Sequence, residues 1–319
     1  MAASGGRRAI LAAMFANAGI AVAKFVAFFF TRSSSMLAEA IHSVADTSNQ
    51  GLLLLGGARA RRDATPSHEF GYARERYFWS FIVALVLFSL GGLFAIYEGV
   101  EKVRHPHEVE SYTWAVVVLV IAIGLETGSF RTAIKESLPL KGRRSWGTFI
   151  RTARTPELPV VLLEDAGALF GLLFALTGIL TTMATGEPVW DGVGTIAIGV
   201  LLVVIALVLT FEMKSLLIGE SATTSDRRAL VAALSGSPGV ERIIHLRTQH
   251  FGPEALLVAG KIQLSPHLTF REIADVIDRA ETAMRESVPA ATMIYLEPDV
   301  YDPDHVPTPD LLPDEPAPH

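Results

Sequence analysis

The chain has 319 residues, half of them hydrophobic, 19% charged and none of them cysteine, with a formal net charge of −6. These figures exclude a disordered chain, a collagen and a disulfide scaffold, and without thiolates any metal site must use nitrogen and oxygen ligands. A negative balance also argues against nucleic acid as a partner, which calls for a basic face.

Crossing a bilayer takes about 20 consecutive, mostly apolar residues. In chain order the candidates are Ile10–Phe30, Met36–Gly57, Tyr77–Val100, Trp114–Ile134, Leu158–Ala184 and Val193–Phe211. The first is too long for a signal peptide and lacks a small-residue cleavage site, so it reads as a retained span. The second is the weakest, because it carries Glu39, His42, Asp46, Asn49 and Gln50. The loops decide in its favour. With it in place, fourteen Lys and Arg fall before the first span, after the second, and at or beyond the end of the fourth, against three in the other loops. Basic residues collect on the cytoplasmic side, so both termini are expected there. The expectation for residues 1–217 is a membrane all-α six-helix bundle, multi-pass in the cell membrane.

After Leu217 a soluble pattern begins. Ser225–Leu234 reads as a short helix stopped at Gly236, and Val240–Phe251 and Ala255–Leu264 as strands around a Gly252-Pro253 turn. Thr269 and Glu272 form a capping box, and the helix they open sets Ile273, Val276, Ile277, Ala280 and Met284 on one face. Ala291–Leu296 is a last strand. The order αββαβ over 222–298 predicts a small α+β domain. From Pro298 onward seven of 22 residues are proline and six are acidic, so 299–319 reads as a disordered tail.

Ionisable groups inside spans are costly and usually functional. On the second span His42 and Asp46 lie four residues apart and share one helix face, which Asn49 extends. The fifth span carries the neighbours Glu164 and Asp165 in an apolar run. One imidazole with two or three carboxylates suits a divalent first-row cation such as zinc. The bland reading is a set of hydrogen bonds between helices. Lys24, late in the first span, reads as snorkelling to the interface, and Asn17 as bonding a neighbouring helix. Glu126 is open between a ligand, a proton relay and a partner for Lys24. Gly91, Gly92 and Gly99 read as sites of close helix contact.

These residues carry a family resemblance. SSSMLAEAIHSVADTSNQ at Ser33–Gln50 resembles the second-helix signature of the cation diffusion facilitator family. HEFGYARER at His68–Arg76, IYEG at Ile96–Gly99 and LLIGESA at Leu216–Ala222 support it. LLEDAG at Leu162–Gly167 resembles the branch that includes the mitochondrial zinc transporter. The resemblance implies a homodimer of six-helix protomers, each with a cytoplasmic ferredoxin-like domain, exchanging a divalent metal for protons. It implies a metal site of His42, Asp46 and Asp165. Glu164 is a candidate fourth ligand, because Val161 stands where a fifth-helix histidine is usual. Glu164 lies about 100° around the helix from Asp165, so it is not a clean substitute. Tyr72, Lys261 and Tyr295 also stand where relatives often have histidine, and His245, His250 and His267 read as isolated surface residues. Accessory metal sites are therefore expected to be absent.

No resident cofactor is expected. The cargo is read as zinc, with manganese, iron(II) or cobalt(II) as competitors because only one nitrogen ligand is present. Protons are the counter-substrate and the bilayer is the surrounding partner. Two rival classes remain: a non-transporting metal sensor or scaffold, and an intramembrane aspartic protease built on Asp46 and Asp165. The protease reading lacks a GxGD motif, and HExxH is absent as well.

Overall fold

The computed structural model describes residues 2–31, 34–106, 112–302 and 304. Within α1 and α2 the side chains of residues 2–9, 12, 13, 16, 27, 28, 30, 31, 34–39, 41 and 42 lie outside that description. The chain forms two compact units, one made of the chain up to Arg62 with Glu75–Lys214, the other of Asp63–Arg74 with the chain from Ser215 onward.

The first unit is helical. Its long elements are α1 (Ala2–Thr31), α2 (Ser34–Arg59), α3 (Glu75–Arg104), α4 (Tyr112–Lys141), α6 (Glu157–Thr185) and α7 (Val189–Ile218), with a short α5 (Trp146–Thr152) before α6. Four of them, α3, α4, α6 and α7, are long and apolar enough to cross a membrane among the described residues. The weak second candidate is one unbroken helix of 26 residues, about 39 Å at 1.5 Å per residue, against a hydrocarbon thickness of about 30 Å. Its polar residues lie inside the helix and leave it unbroken. Ile20, Leu119 and Leu172 pack in a core shared by α1, α4 and α6. Phe15, Ile121, Phe170, Val204 and Phe211 stay exposed on the outside, the inverse of a soluble bundle and suited to lipid.

Two features of α3 escape the hydropathy pattern. Leu87–Leu93 is a π-helical segment, and each such insertion rotates the rest of the helix by about 100°. Gly92 near its end and Gly99 beyond it face Gly199 and Gly192 of the antiparallel α7. Lys102 closes the far end of this pair on Asp191 at 3.3 Å. At the start of α3, Arg76 binds the buried Glu157 of α6 through Nε and Nη2, at 2.5 and 2.9 Å.

The second unit follows the sequence closely: α8 (Thr224–Ser235), β1 (Val240–Gly252), β2 (Ala255–Leu264), α9 (Phe270–Ser287) and β3 (Met293–Pro298). The sheet runs β1-β2-β3, antiparallel then parallel. Alternate residues of β2, Leu256, Val258 and Ile262, meet Val276, Ala280 and Met284 of α9 in one core. The capping box is formed, with the Thr269 N–H donating to Glu272 Oε2 at 2.8 Å. The hydroxyl and N–H of Thr269 hold the Glu272 carboxyl below its ordinary pKa. That contribution to stability is present above the ordinary carboxylate pKa and fades as pH falls through the depressed value. The first residues past β3 pair with the sheet: the Asp299 N–H donates to Ile262 O, and Arg242 stacks on Tyr301. Residues 305–319, most of the expected tail, lie outside the described residues.

Candidate metal site

α2 brings Asp46, Asn49 and Gln50 to the bundle interior, α4 brings Glu126 and Ser129, and α6 brings Glu164 and Asp165. All seven are buried. The backbone of α2 places His42 one turn before Asp46 on the same face; its side chain lies outside the described residues. Among the described residues no three His, Asp or Glu side chains converge at metal-binding distance.

The carboxylate neighbours on α6 do different things. Glu164 is held at both oxygens, accepting from Asn49 Nδ2 and Gln50 Nε2 at 2.9 Å each. It clamps α6 to α2. Asp165 turns toward α4, where Ser129 Oγ donates to Oδ2 at 2.8 Å, and its buried Oδ1 accepts no hydrogen bond. An anionic oxygen without a donor in a buried site is poised for a cation. The angular separation expected between the two neighbours is therefore realised as contact with two different helices. Ser129 was not legible as a site residue, although it lies one turn beyond Glu126; nothing in its residue type distinguishes it from ordinary helix-contact serines.

Lys24 departs from expectation. It does not snorkel outward: it is 3% exposed, and its Nζ donates to Ser43 Oγ on α2 at 3.0 Å. The acceptor and the facing carboxylates of Asp46 and Glu126 turn it inward. With Asn17, also buried, they line a cavity of about 30 Å3.

The other positions of interest lie in the second unit. The Tyr72 hydroxyl bonds Thr65 Oγ1 at 3.0 Å and its ring packs on His68 at 4.5 Å, so it braces the 63–74 loop. His250 is not a surface residue. It is buried, with Nδ1 3.1 Å from Gly252 O and its backbone N–H donating to Glu220 O, because β1 turns that face toward the segment entering the domain. His245 is half-buried and opposite Lys261 on β2. Lys261 bridges Asp299 at 2.8 Å and Glu297 at 3.1 Å, and those two carboxylates hold its pKa above the ordinary lysine value. A fixed positive charge thus fills the cluster of His245, Tyr295 and Glu297 around a surface cavity of about 380 Å3. The isolated segment 222–298 is expected to show no tight zinc binding by calorimetry. A stoichiometric submicromolar site, about 8 kcal/mol or more, would contradict it.

Residues 10–218 match the cation efflux transmembrane domain, and residues 223–299 match the cytoplasmic domain of cation efflux proteins. The mouse protein named proton-coupled zinc antiporter SLC30A9, mitochondrial, is 32% identical over 250 residues, 77% of this chain and 43% of that one. Metal tolerance protein C4 of Arabidopsis thaliana is 28% identical, covering 87% of this chain and 61% of its own length. The cation-efflux pump FieF of Pectobacterium atrosepticum is 24% identical over 86% of both chains. The chain thus spans less than half the length of the mouse relative. Family models cover nearly all of both units in the order the sequence suggests, and the chain belongs to the cation diffusion facilitator family of cation efflux proteins.

Proposed function

We propose that this protein moves a divalent cation, zinc foremost, out of the cytoplasm in exchange for protons. The reading has six spans, both termini cytoplasmic, alternating access about the buried carboxylates, and a homodimer whose cytoplasmic domains are ferredoxin-like. His42, Asp46 and Asp165 hold the ion, with Glu164, which also accepts from Asn49 and Gln50, as the candidate fourth ligand. Family membership and the printed name of the mouse relative support this. The observation that carries it is the buried, undonated Oδ1 of Asp165 on a helix packed in the same bundle as Asp46.

Coupling follows from ligand chemistry. A metal binds the deprotonated forms of histidine and carboxylate, so protons and metal compete for the same atoms. A site opened in turn to each side loads metal where protons are scarce and releases it where they are abundant. The carboxylates set affinity by charge, and the imidazole favours zinc-like ions over magnesium or calcium. Purified protein in proteoliposomes with an inward-acidic pH gradient is expected to accumulate zinc and dissipate the gradient. Zinc movement no faster than in protein-free vesicles would overturn the reading, and would leave a sensor or scaffold in its place.

Glu164→Gln tests the fourth ligand. The new amide presents a donor to a donor, so one of the two α2 bonds is lost or an amide must turn over, at about 1–2 kcal/mol of stability. If Glu164 is also a ligand, zinc affinity and the proton-to-metal ratio both fall. An unchanged ratio with unchanged affinity leaves Glu164 as a clamp between α2 and α6 only.

A further inference from the structure

Lys24 is the one basic side chain among the described buried residues of the helical unit, which also buries Asp46, Glu126, Glu164 and Asp165. Its ammonium is tied to Ser43, one turn before Asp46 on α2. The cavity it lines with Asp46 and Glu126 has the volume for about one water. α6 and α7 contribute only small and apolar residues to that wall. Glu126 is 1% exposed, and its Oε1 accepts no hydrogen bond. So an anion aimed at the chamber, a flexible four-carbon cation and a proposed metal ligand share one small space.

Resting on the transport reading above, we propose that Lys24 is a tethered counter-cation that sets how tightly the cargo is held. Buried carboxylates are tolerable only when paired. The ammonium bonded to Ser43 faces Asp46 and Glu126 across the chamber; when a divalent ion arrives, like charge pushes it away from Asp46. The lysine stem has the rotational freedom for such a short swing, which a planar guanidinium would make less readily. Lys24 thereby competes with the cargo for Asp46 and speeds its release. It acts through Asp46 and is a positioning residue.

The test measures zinc transport in proteoliposomes, and zinc binding by calorimetry on the full chain in detergent. Lys24→Met removes the competitor, so zinc should bind about tenfold tighter, with KM and maximal flux each falling about tenfold. Glu126→Gln leaves the ammonium to Asp46 alone and should weaken zinc binding, while the double variant returns KM toward wild type. Ser43→Ala, a mild change that keeps the charge, takes away the resting place and should raise KM about threefold. A purely structural lysine predicts lost thermal stability in Lys24→Met with no fall in KM. An unchanged or raised KM in folded Lys24→Met overturns the inference; should that variant fail to fold, an unchanged KM in Ser43→Ala does so. If wild type binds but does not move zinc, the transport reading fails alone, and tighter binding by Lys24→Met still upholds the counter-cation. If wild type neither binds nor moves zinc, both fall.

Discussion

Replacing Asp46 or Asp165 with alanine is expected to lower zinc-driven proton flux by about a hundredfold or more, with the helical bundle intact. Each change deletes an anionic oxygen from the proposed cation site, and a nearby carboxylate would have to move to replace it. Glu164 is occupied at both oxygens by the amides of Asn49 and Gln50. Folding should survive, because a buried carboxylate facing other carboxylates is weak evidence for stability. Asp165 gives the sharper case: alanine there frees the Ser129 hydroxyl, which can donate instead to a carbonyl one turn back along α4, as serines in helices commonly do. Asp165→Asn keeps a partner for Ser129 and removes the charge, so it should be as inactive as alanine while more stable to heat. Full flux in either alanine variant, measured by a pH-sensitive dye inside the vesicles, would remove that residue from the site.

How much the sequence disclosed depends on how local each signal is. The second unit was legible to within a few residues because the Thr269–Glu272 box, the period of α9 and the Gly252-Pro253 turn each act within one element. Four spans were legible by apolar length, and the polar second candidate is one unbroken helix. Rotation of a helix about its axis was less so. Lys24 lies late in its span, where an outward path and an inward one are equally open to a long side chain, and only the partners on α2 and α4 decide between them. Glu164 and Asp165 could be placed 100° apart, but which helix each would meet depends on tertiary packing. Ser43 and Ser129 carry no signal at all, being small residues of a kind that fills membrane helix contacts generally. His250 misled because a lone histidine on a strand is ordinarily exposed, whereas the chain entering the domain covers this one.

Gly99→Ala should destabilise the protein as much as many core truncations, although it adds a single methyl group. That methyl would lie 2.7 Å from the backbone N of Ile196 and 2.9 Å from Gly192 O. Backbone cannot swing aside as a side chain tip can, so α3 and α7 must separate. Gly199→Ala meets the same obstacle from the other helix, at 2.7 Å from Ile96 N and 2.9 Å from Gly92 O. The four glycines recur every seven residues on both helices, two turns apart, which aligns two reciprocal close contacts along an antiparallel pair. In a bilayer, where helix association depends on close packing and not on excluding water, such contacts hold the pair together. Each substitution is expected to cost about 1–3 kcal/mol, read as a drop in the thermal midpoint of the protein in detergent. Because the two act on one interface, the second should cost less once the first has spread the helices, so the double variant falls short of the sum. Gly124→Ala on α4 is the control: nothing lies within 4 Å of its new methyl, and exchanging glycine for alanine in a helix should stabilise by about 0.5–1 kcal/mol. Gly99→Ala as stable as Gly124→Ala would show that α3 and α7 do not meet this closely, and an additive double variant would show that the two contacts are independent.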